Sequence, residues 1–559
     1  MVLFIAALYG RTAAFDFSYL DDDILIVDDQ AFLSAPNSLA RAFTRGYFPF
    51  HGGAHQDHSY YRPLVTVSFV LDAAWGGTDA GVYHRTNVVL HAVATALLFL
   101  LLRRSGYRDL VALFGAFLFA AHPALTEAVA WIPGRNDVLL AVFALAAWLL
   151  LPRIRTSYLN DTAGQSQQAR GVPTSSEQVF RLLAHQVAWL AALQVKETAW
   201  VLPVVWAVQL RWQSDRSQAP RASRLRLIWL AAGWLVTLAV YVIGRAALTS
   251  DGGGSASSDA GVPGLWAGLS VRYAVSNLPS LLGAIGKLVL PVHLSVLAIP
   301  ADTWSWPGAV GVAALVMAAR LIPGARRSHL LFGVGCLVLF LVPGLPASNL
   351  LVLENRLYLP AVGLVLVMCE LFTALPFSTR IRSIVAVTLV ELLATASFSY
   401  ASGFRDRLAF AHAAVEQSPH SSLAHRNLGV AYHVAGDRDS ARREYQAALA
   451  EDAGEPVAHN NLGVILMADG HLAEAEGELR QELTINPDYA PAHDNLAQVL
   501  AAVGRHDEAA GHWEKSLELN PRSTSALQAL IDYYGPRDPV RASRLRVLLD
   551  SARSPTPPR

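Results

Sequence analysis

The chain has 559 residues, 53% of them hydrophobic and 16% charged, with a mean hydropathy of +0.33 and a formal net charge of +0. Such a chain is too apolar for an ordinary soluble domain and reads as a polytopic membrane protein. The balanced charge argues against a nucleic-acid binder, which needs a basic face to neutralise phosphates, and the two cysteines, Cys336 and Cys369, lie in apolar runs as packing residues.

In chain order, Met1 to Leu8 is apolar but lacks the basic flank and cleavage pattern of a signal peptide. It is shorter than the roughly 20 residues of a membrane crossing, and the expectation is that the natural chain starts further upstream. Three adjacent carboxylates, Asp21, Asp22 and Asp23, follow where a membrane helix should emerge into water. Apolar runs recur at Thr86 to Leu102, Leu110 to Ala121, Val138 to Leu151, Leu182 to Val195, Ala199 to Leu210, Leu227 to Gly244, Gly308 to Ala319, Leu330 to Val342, Leu357 to Phe372 and Ile384 to Phe398. With the N-terminal segment they predict about eleven spans.

Leu265 to Leu290 is interrupted by Arg272, Asn277 and Lys287, and is expected to lie at the interface or to re-enter. Only then do the basic loops (Arg103 to Arg108, Arg153 and Arg155, Arg211 to Arg226, Arg320 to Arg327, Arg380 to Arg382) all face the cytoplasm, as the positive-inside rule requires. On that topology Asp21 to Asp23, the loop from Phe15 to Tyr83, His122 to Arg135, Lys196-Glu197, Leu353 to Leu359 and everything after Tyr400 open on the outer face.

From about Gly403 the composition turns to mixed charge and alanine, and a period of 34 residues appears. Asn427-Leu428-Gly429 recurs as Asn461-Leu462-Gly463 and Asn495-Leu496-Ala497; Gly436, Gly470 and Gly504 keep the same step, as do Ala441, Ala475 and Ala509. This resembles the tetratricopeptide repeat, a helix-turn-helix unit of that length whose stacked pairs bind extended polypeptide. His425, His459 and His493 share the period, but with no supporting ligand spacing they read as ordinary repeat positions and not as a metal site. The domains expected are therefore a transmembrane domain 1–400, a repeat domain 401–536 and a basic, disordered tail 537–559.

Ionisable residues at the edges of spans are costly and are usually functional. An isolated acidic run is ordinarily a solvated loop or a helix cap, yet this one has company in Arg62, His122, Glu127, Arg135, Lys196, Glu197 and Arg356. Lys196-Glu197 sits between two apolar runs with almost no loop; it reads either as a local ion pair or as a cation that holds a lipid-linked phosphate. Arg62 and Arg356 suit bidentate phosphate contacts or interfacial snorkelling. His122 suits a cap or core position as well as a substrate ligand, and His91 is a packing residue. No phosphate-cradling glycine loop, nucleophile elbow or zinc spacing occurs.

The series from Phe17 to Asp29, Tyr61-Arg62-Pro63-Leu64, Asn87 to His91, His122-Pro123 with Thr126-Glu127, Gly134-Arg135, Lys196-Glu197, Arg356 to Pro360 and the repeats resembles the transmembrane and tetratricopeptide-repeat-containing O-mannosyltransferases. The resemblance implies an all-α fold of the C-type glycosyltransferase class, a polyprenyl-phosphate sugar donor and inverting transfer, of mannose in the family's manner, to Ser or Thr hydroxyls of proteins. It implies that Asp21 and Asp22 are catalytic, with Asp22-Asp23 the alternative register. Lys196, with Arg62 or Arg356, would hold the leaving phosphate, Glu127, Arg135 and Glu197 would orient the sugar or partner side chains, and His122 is a candidate substrate ligand. Leu20 departs from the family, where an aromatic is common. No cofactor is required beyond the lipid-linked donor; a divalent metal is not needed in principle, and its involvement stays open. The expected partners are that lipid and an acceptor protein on the repeats, at a bacterial plasma membrane with the site on the outer side. Two rival readings are a non-catalytic scaffold that assembles an envelope complex and a lipid-linked substrate transporter.

Overall fold

The computed structural model describes residues 1–18, 20–48, 60–151, 175–214, 221–250, 275–322, 324–345 and 354–553. Arg153, Arg155, residues 265–274 of the interrupted stretch and residues 555–559 lie outside them. The regular structure among the described residues is helical, with no β-strand. One compact unit carries the membrane helices up to Asp406, and a second begins at Arg407, where composition placed the boundary after residue 400.

Among the described residues five helices are long and apolar enough to cross a membrane: Ala80–Arg104, Ile132–Leu150, Leu227–Ala246, Arg327–Gly344 and Thr379–Phe404. A sixth crossing arises if Asp109–Ala120 and Pro123–Ala130, bent by 57° between them, are one span. The bend falls at His122-Pro123, where proline cannot continue the hydrogen-bond ladder. Other expected runs lie on shorter apolar helices such as Val2–Ala14, Trp306–Leu321 and Pro360–Ala374. The described part of the interrupted stretch contains the helix Leu278–Val289, whose apolar side chains gather on one face.

The helices differ in how much of their surface is covered. Ile132–Leu150 has 78% of its apolar window buried against 17% for Leu227–Ala246 and Thr379–Phe404, so it is the central helix and those two present their apolar side chains outward. Where lipid is as apolar as leucine, helices associate through close packing of small residues. Arg327–Leu341 and Pro360–Ala374 do so at Gly333 and Gly363: a Cβ at Gly363 would stand 2.4 Å from the Leu337 backbone nitrogen. Gly308 likewise lets Trp306–Leu321 approach Leu278–Val289.

The second unit stacks helix pairs. Ser422–Val434 and Arg438–Glu451, Ala458–Ala468 and Leu472–Ile485, and Ala490–Ala502 and His506–Leu519 are three repeats, preceded by Arg407–Gln417 and followed by Thr524–Tyr534. The first helix of each pair ends at Gly436, Gly470 or Gly504, with φ of +84°, +81° and +85°, a left-handed conformation that glycine adopts without a Cβ penalty. Gly429 and Gly463 then seat the next helix, against Tyr445 and Leu479. The expected tail is corrected over most of its length: Pro539–Arg553 is a helix packed on Thr524–Tyr534, with Leu549 buried beside Leu527 and Ile531. Its apolar residues were too sparse among arginines to announce a helix in the sequence.

Candidate functional site

The acidic triplet follows a strained turn. Leu20 has φ of +61°, a region that a branched side chain adopts at a cost of order 1–3 kcal/mol and that persists mainly where function holds it. A single wide turn follows, closed by the Asp28 N–H donating to the Asp23 carbonyl over 2.8 Å. Asp22 points inward: its Oδ2 accepts from both the N–H and the hydroxyl of Ser18 at 2.7 Å, and its Oδ1 is buried with no partner among the described residues. Burial pushes its carboxyl up to about 7, against the two Ser18 hydrogen bonds. Asp21 and Asp23 are half-buried.

Beside the turn, Tyr47 is buried within electrostatic reach of Asp21, Arg62 and Arg135, and its hydroxyl accepts from Asn136 Nδ2 at 3.3 Å. Arg62 lies over the Tyr47 and Tyr60 rings, 5.1 and 4.9 Å from their centroids. Its Nη2 donates to Glu197 Oε1 at 3.2 Å, and its Nε is buried without a partner among the described residues. Lys196 turns away from Glu197 and donates to both oxygens of Asp137, at 2.7 and 2.8 Å. The local Lys196-Glu197 pair that adjacency allowed is thus replaced by two longer-range pairs, because an extended Lys196 (φ −155°, ψ 130°) sends neighbouring side chains to opposite sides. The charges of Arg62 and Arg356 both act on Lys196. Arg356 is exposed and makes no ion pair among the described residues.

Three cations, Arg62, Lys196 and Arg356, therefore share one neighbourhood with two carboxylates, Asp137 and Glu197. Apart from the acidic turn, that neighbourhood keeps one positive charge in surplus. Asp137 and Tyr47 are the members that sequence reasoning did not assign. The sequence signal for Asp137 was its place at the start of a central span, two residues after Arg135 in the polar run Gly134-Arg135-Asn136-Asp137.

Three expected substrate residues are built into the frame instead. Arg135 is fully buried: it pairs with Asp72 at 2.6 Å and donates to Asn87 Oδ1, the Tyr83 carbonyl and Ser68, tying Pro63–Gly76 and Ala80–Arg104 to the central helix. His122 caps the bend, with Nδ1 accepting from the Ala124 N–H at 3.3 Å and Nε2 donating to the Leu288 carbonyl at 2.8 Å. Glu127 is also buried, and its Oε2 accepts from the N–H groups of Glu354 and Asn355 at 2.9 and 3.2 Å. Glu354 in turn accepts from the Ser295 N–H and the Tyr400 hydroxyl and lies 2.9 Å from Lys287. This buried group fixes the short Glu354–Leu357 turn that presents Arg356. Sequence position gives the depth of a residue in the membrane but not the side of the helix it occupies, so it left a structural and a substrate role open for these residues. Among the described residues no group of three or more His, Cys, Asp or Glu side chains is placed to hold a metal ion.

The tetratricopeptide repeat family model matches residues 407–456, 434–490 and 490–523. The homologues are protein O-mannosyl-transferases. The chain is similar to Protein O-mannosyl-transferase F38B6.6 of Caenorhabditis elegans, 24% identical over 452 residues that cover 78% of this chain and 60% of that protein. It is also similar to human Protein O-mannosyl-transferase TMTC2, 38% identical over 149 residues, 26% of this chain and 17% of that protein. The chain thus spans less than two thirds of these relatives. Among solved structures, pilF of Pseudomonas aeruginosa matches with 28% identity and a TM-score of 0.25, covering 26% of this chain and 67% of that one.

Proposed function

We propose that this multi-pass membrane protein transfers a sugar, mannose by its likeness to the O-mannosyl-transferases, from a polyprenyl-phosphate donor to Ser or Thr hydroxyls of proteins. The observation that carries the reading is that Tyr47 lies within electrostatic reach of both Asp21 and Arg62, so the acidic turn borders the cluster of three cations. A sugar phosphodiester carries one negative charge, so Arg62, Lys196 and Arg356 attract it, and more strongly as the leaving phosphate gains its second charge.

In the step itself the acceptor oxygen attacks the anomeric carbon from the face opposite the phosphate. The carbon–oxygen bond to the phosphate breaks, the polyprenyl phosphate leaves with the electron pair, and the hydroxyl proton passes to the acidic pair. Asp21 meets the hydroxyl, while Asp22 holds the turn through Ser18 and tunes its neighbour. The developing positive charge on the sugar ring is stabilised by the same carboxylates. The repeats hold the acceptor polypeptide and raise its effective concentration. On the positive-inside argument the site and the repeats face the outer side of a bacterial plasma membrane.

The test is transfer of labelled sugar from polyprenyl-phosphate donors to envelope proteins in membranes that carry the wild type, Asp21→Asn or Asp22→Asn. Asp21→Asn should lose on the order of 10² to 10⁴ in rate. Asp22→Asn, whose amide oxygen still accepts from Ser18, should lose less. Full transfer by Asp21→Asn, with the protein folded, overturns the scheme; no transfer by the wild type from any donor shifts the weight to a scaffold.

A further inference from the structure

We infer that Tyr400 is a positioning residue of the candidate site, which aims Arg356 at the donor phosphate through Glu354, and that residues 400–405 set the span between the phosphate side and the acidic turn. The inference rests on the proposed transfer from a polyprenyl-phosphate donor, and adds what holds the two sides of that reaction in register.

The two sides are remote in the chain but are tied to one short segment. On the phosphate side the Tyr400 hydroxyl donates to Glu354 Oε2 at 2.8 Å, two residues before Arg356. On the acidic side the Arg405 carbonyl accepts from the Asp16 N–H at 2.9 Å. The Asp16 carbonyl accepts from His84 Nε2 at 3.4 Å, so the main chain is held from both directions where it enters the acidic turn. Two residues later Ser18 takes hold of Asp22.

The segment between these ties is itself braced. Phe404 is fully buried and stands edge-on to the Tyr400 ring, 5.6 Å between centroids, and the Arg405 N–H returns to the Ser402 carbonyl at 3.3 Å. Just upstream the Ser397 hydroxyl donates to the Ala121 carbonyl at 2.7 Å, beside the His122-Pro123 bend. Arg11 donates to the Phe398 carbonyl and lies over its ring. A segment fixed in this way, with one side of the site at each end, acts as a spacer.

Tyr400 is the tie through which the spacer reaches Arg356. Glu354 Oε1 is already held by the Ser295 N–H at 2.6 Å and by Lys287 at 2.9 Å. The bond from Tyr400 to Oε2 fixes the remaining rotation of the carboxylate, and without it a buried oxygen must seek another donor by tilting the turn. Asn355 and Leu357 are buried while Arg356 is exposed, so a tilt moves its guanidinium, at the end of the longest lever, the most. The charge of Arg356 acts on Lys196, which places it at the cation cluster. In-line displacement tolerates little error: a misplacement of about 1 Å can cost about 10² in rate. Because the phosphate gains charge as it leaves, a displaced Arg356 is felt in the transition state more than in the bound donor.

The experiment measures kcat and KM for transfer of labelled sugar from mannosyl polyprenyl phosphate to envelope proteins by the full chain in proteoliposomes. Tyr400→Phe keeps the ring against Phe404 and should lower kcat about tenfold, with KM for the donor within about threefold. In an Arg356→Gln background the same change should cost less than about twofold, since the side chain that it aims is already gone. Resistance to SDS should stay near that of the wild type. An unchanged kcat overturns the proposal, and so does a tenfold loss that persists in Arg356→Gln or a Tyr400→Phe chain that no longer folds, since either makes the hydroxyl a contact of the fold alone. In these cases transfer by the wild type leaves the reaction itself standing. A wild type that transfers from no donor overturns both the reaction and the positioning role.

Discussion

The pair between Lys196 and Asp137 is the most sensitive point of the candidate site. Both groups are buried, with side chains 11% and 4% exposed, and the ammonium reaches both carboxylate oxygens. Removing one partner leaves the other charged or forces it to titrate in a site with little water, and such broken pairs cost about 3–5 kcal/mol. Asp137→Ala should therefore lower the resistance of the detergent-solubilised protein to SDS-induced unfolding by that amount, and Lys196→Met by a similar one. Replacing both together removes the charges and their desolvation at once, a change that is often neutral for buried pairs. The double variant Asp137→Leu/Lys196→Met should accordingly recover most of the loss and give a coupling of several kcal/mol in a double-mutant cycle, roughly the cost of one broken pair. It should nevertheless fail in transfer, since the cation proposed to hold the phosphate is gone. Single variants that each cost less than about 1 kcal/mol, the range of exposed pairs, and that add without coupling would refute the reasoning.

Asp22 has a carboxyl raised by burial to about 7, so ionisation opposes folding. Its favourable contribution is complete below the unfolded value of about 3.9 and is lost as pH rises toward about 7; Asp22→Asn should flatten the unfolding midpoint across that window. At Gly429 a Cβ would stand 2.6 Å from the buried Tyr445 ring, and Gly429→Ala should destabilise the first repeat by about 1–3 kcal/mol, read as lost amide exchange protection in Ser422–Val434. His425 is raised above its ordinary value, chiefly by the hydrogen bond to Glu444. The stability it lends is full below about pH 6.5 and falls as pH rises through its folded value, so His425→Gln should remove that slope from the exchange of the same helix.

The repeats could be read almost completely from the chain, because their signal is local. A period of 34 residues fixes where glycines turn, where small residues let helices close and where each pair begins, with no need to know what lies across the fold. Apolar runs marked the membrane helices for a similar reason: lipid leaves a backbone little choice but the helix. The residues of the candidate site were also in view as polar groups at the ends of those runs. Their partners were not. Adjacent Lys196 and Glu197 choose Asp137 and Arg62, which lie 59 and 135 residues away, and Arg135, His122 and Glu127 turn inward to hold helices and a turn in place. Depth in a bilayer is set by sequence distance along a helix, so the chain itself determines which residues lie near the surface. Which of them face the substrate depends on how each helix is rotated against its neighbours, and long-range packing alone decides that.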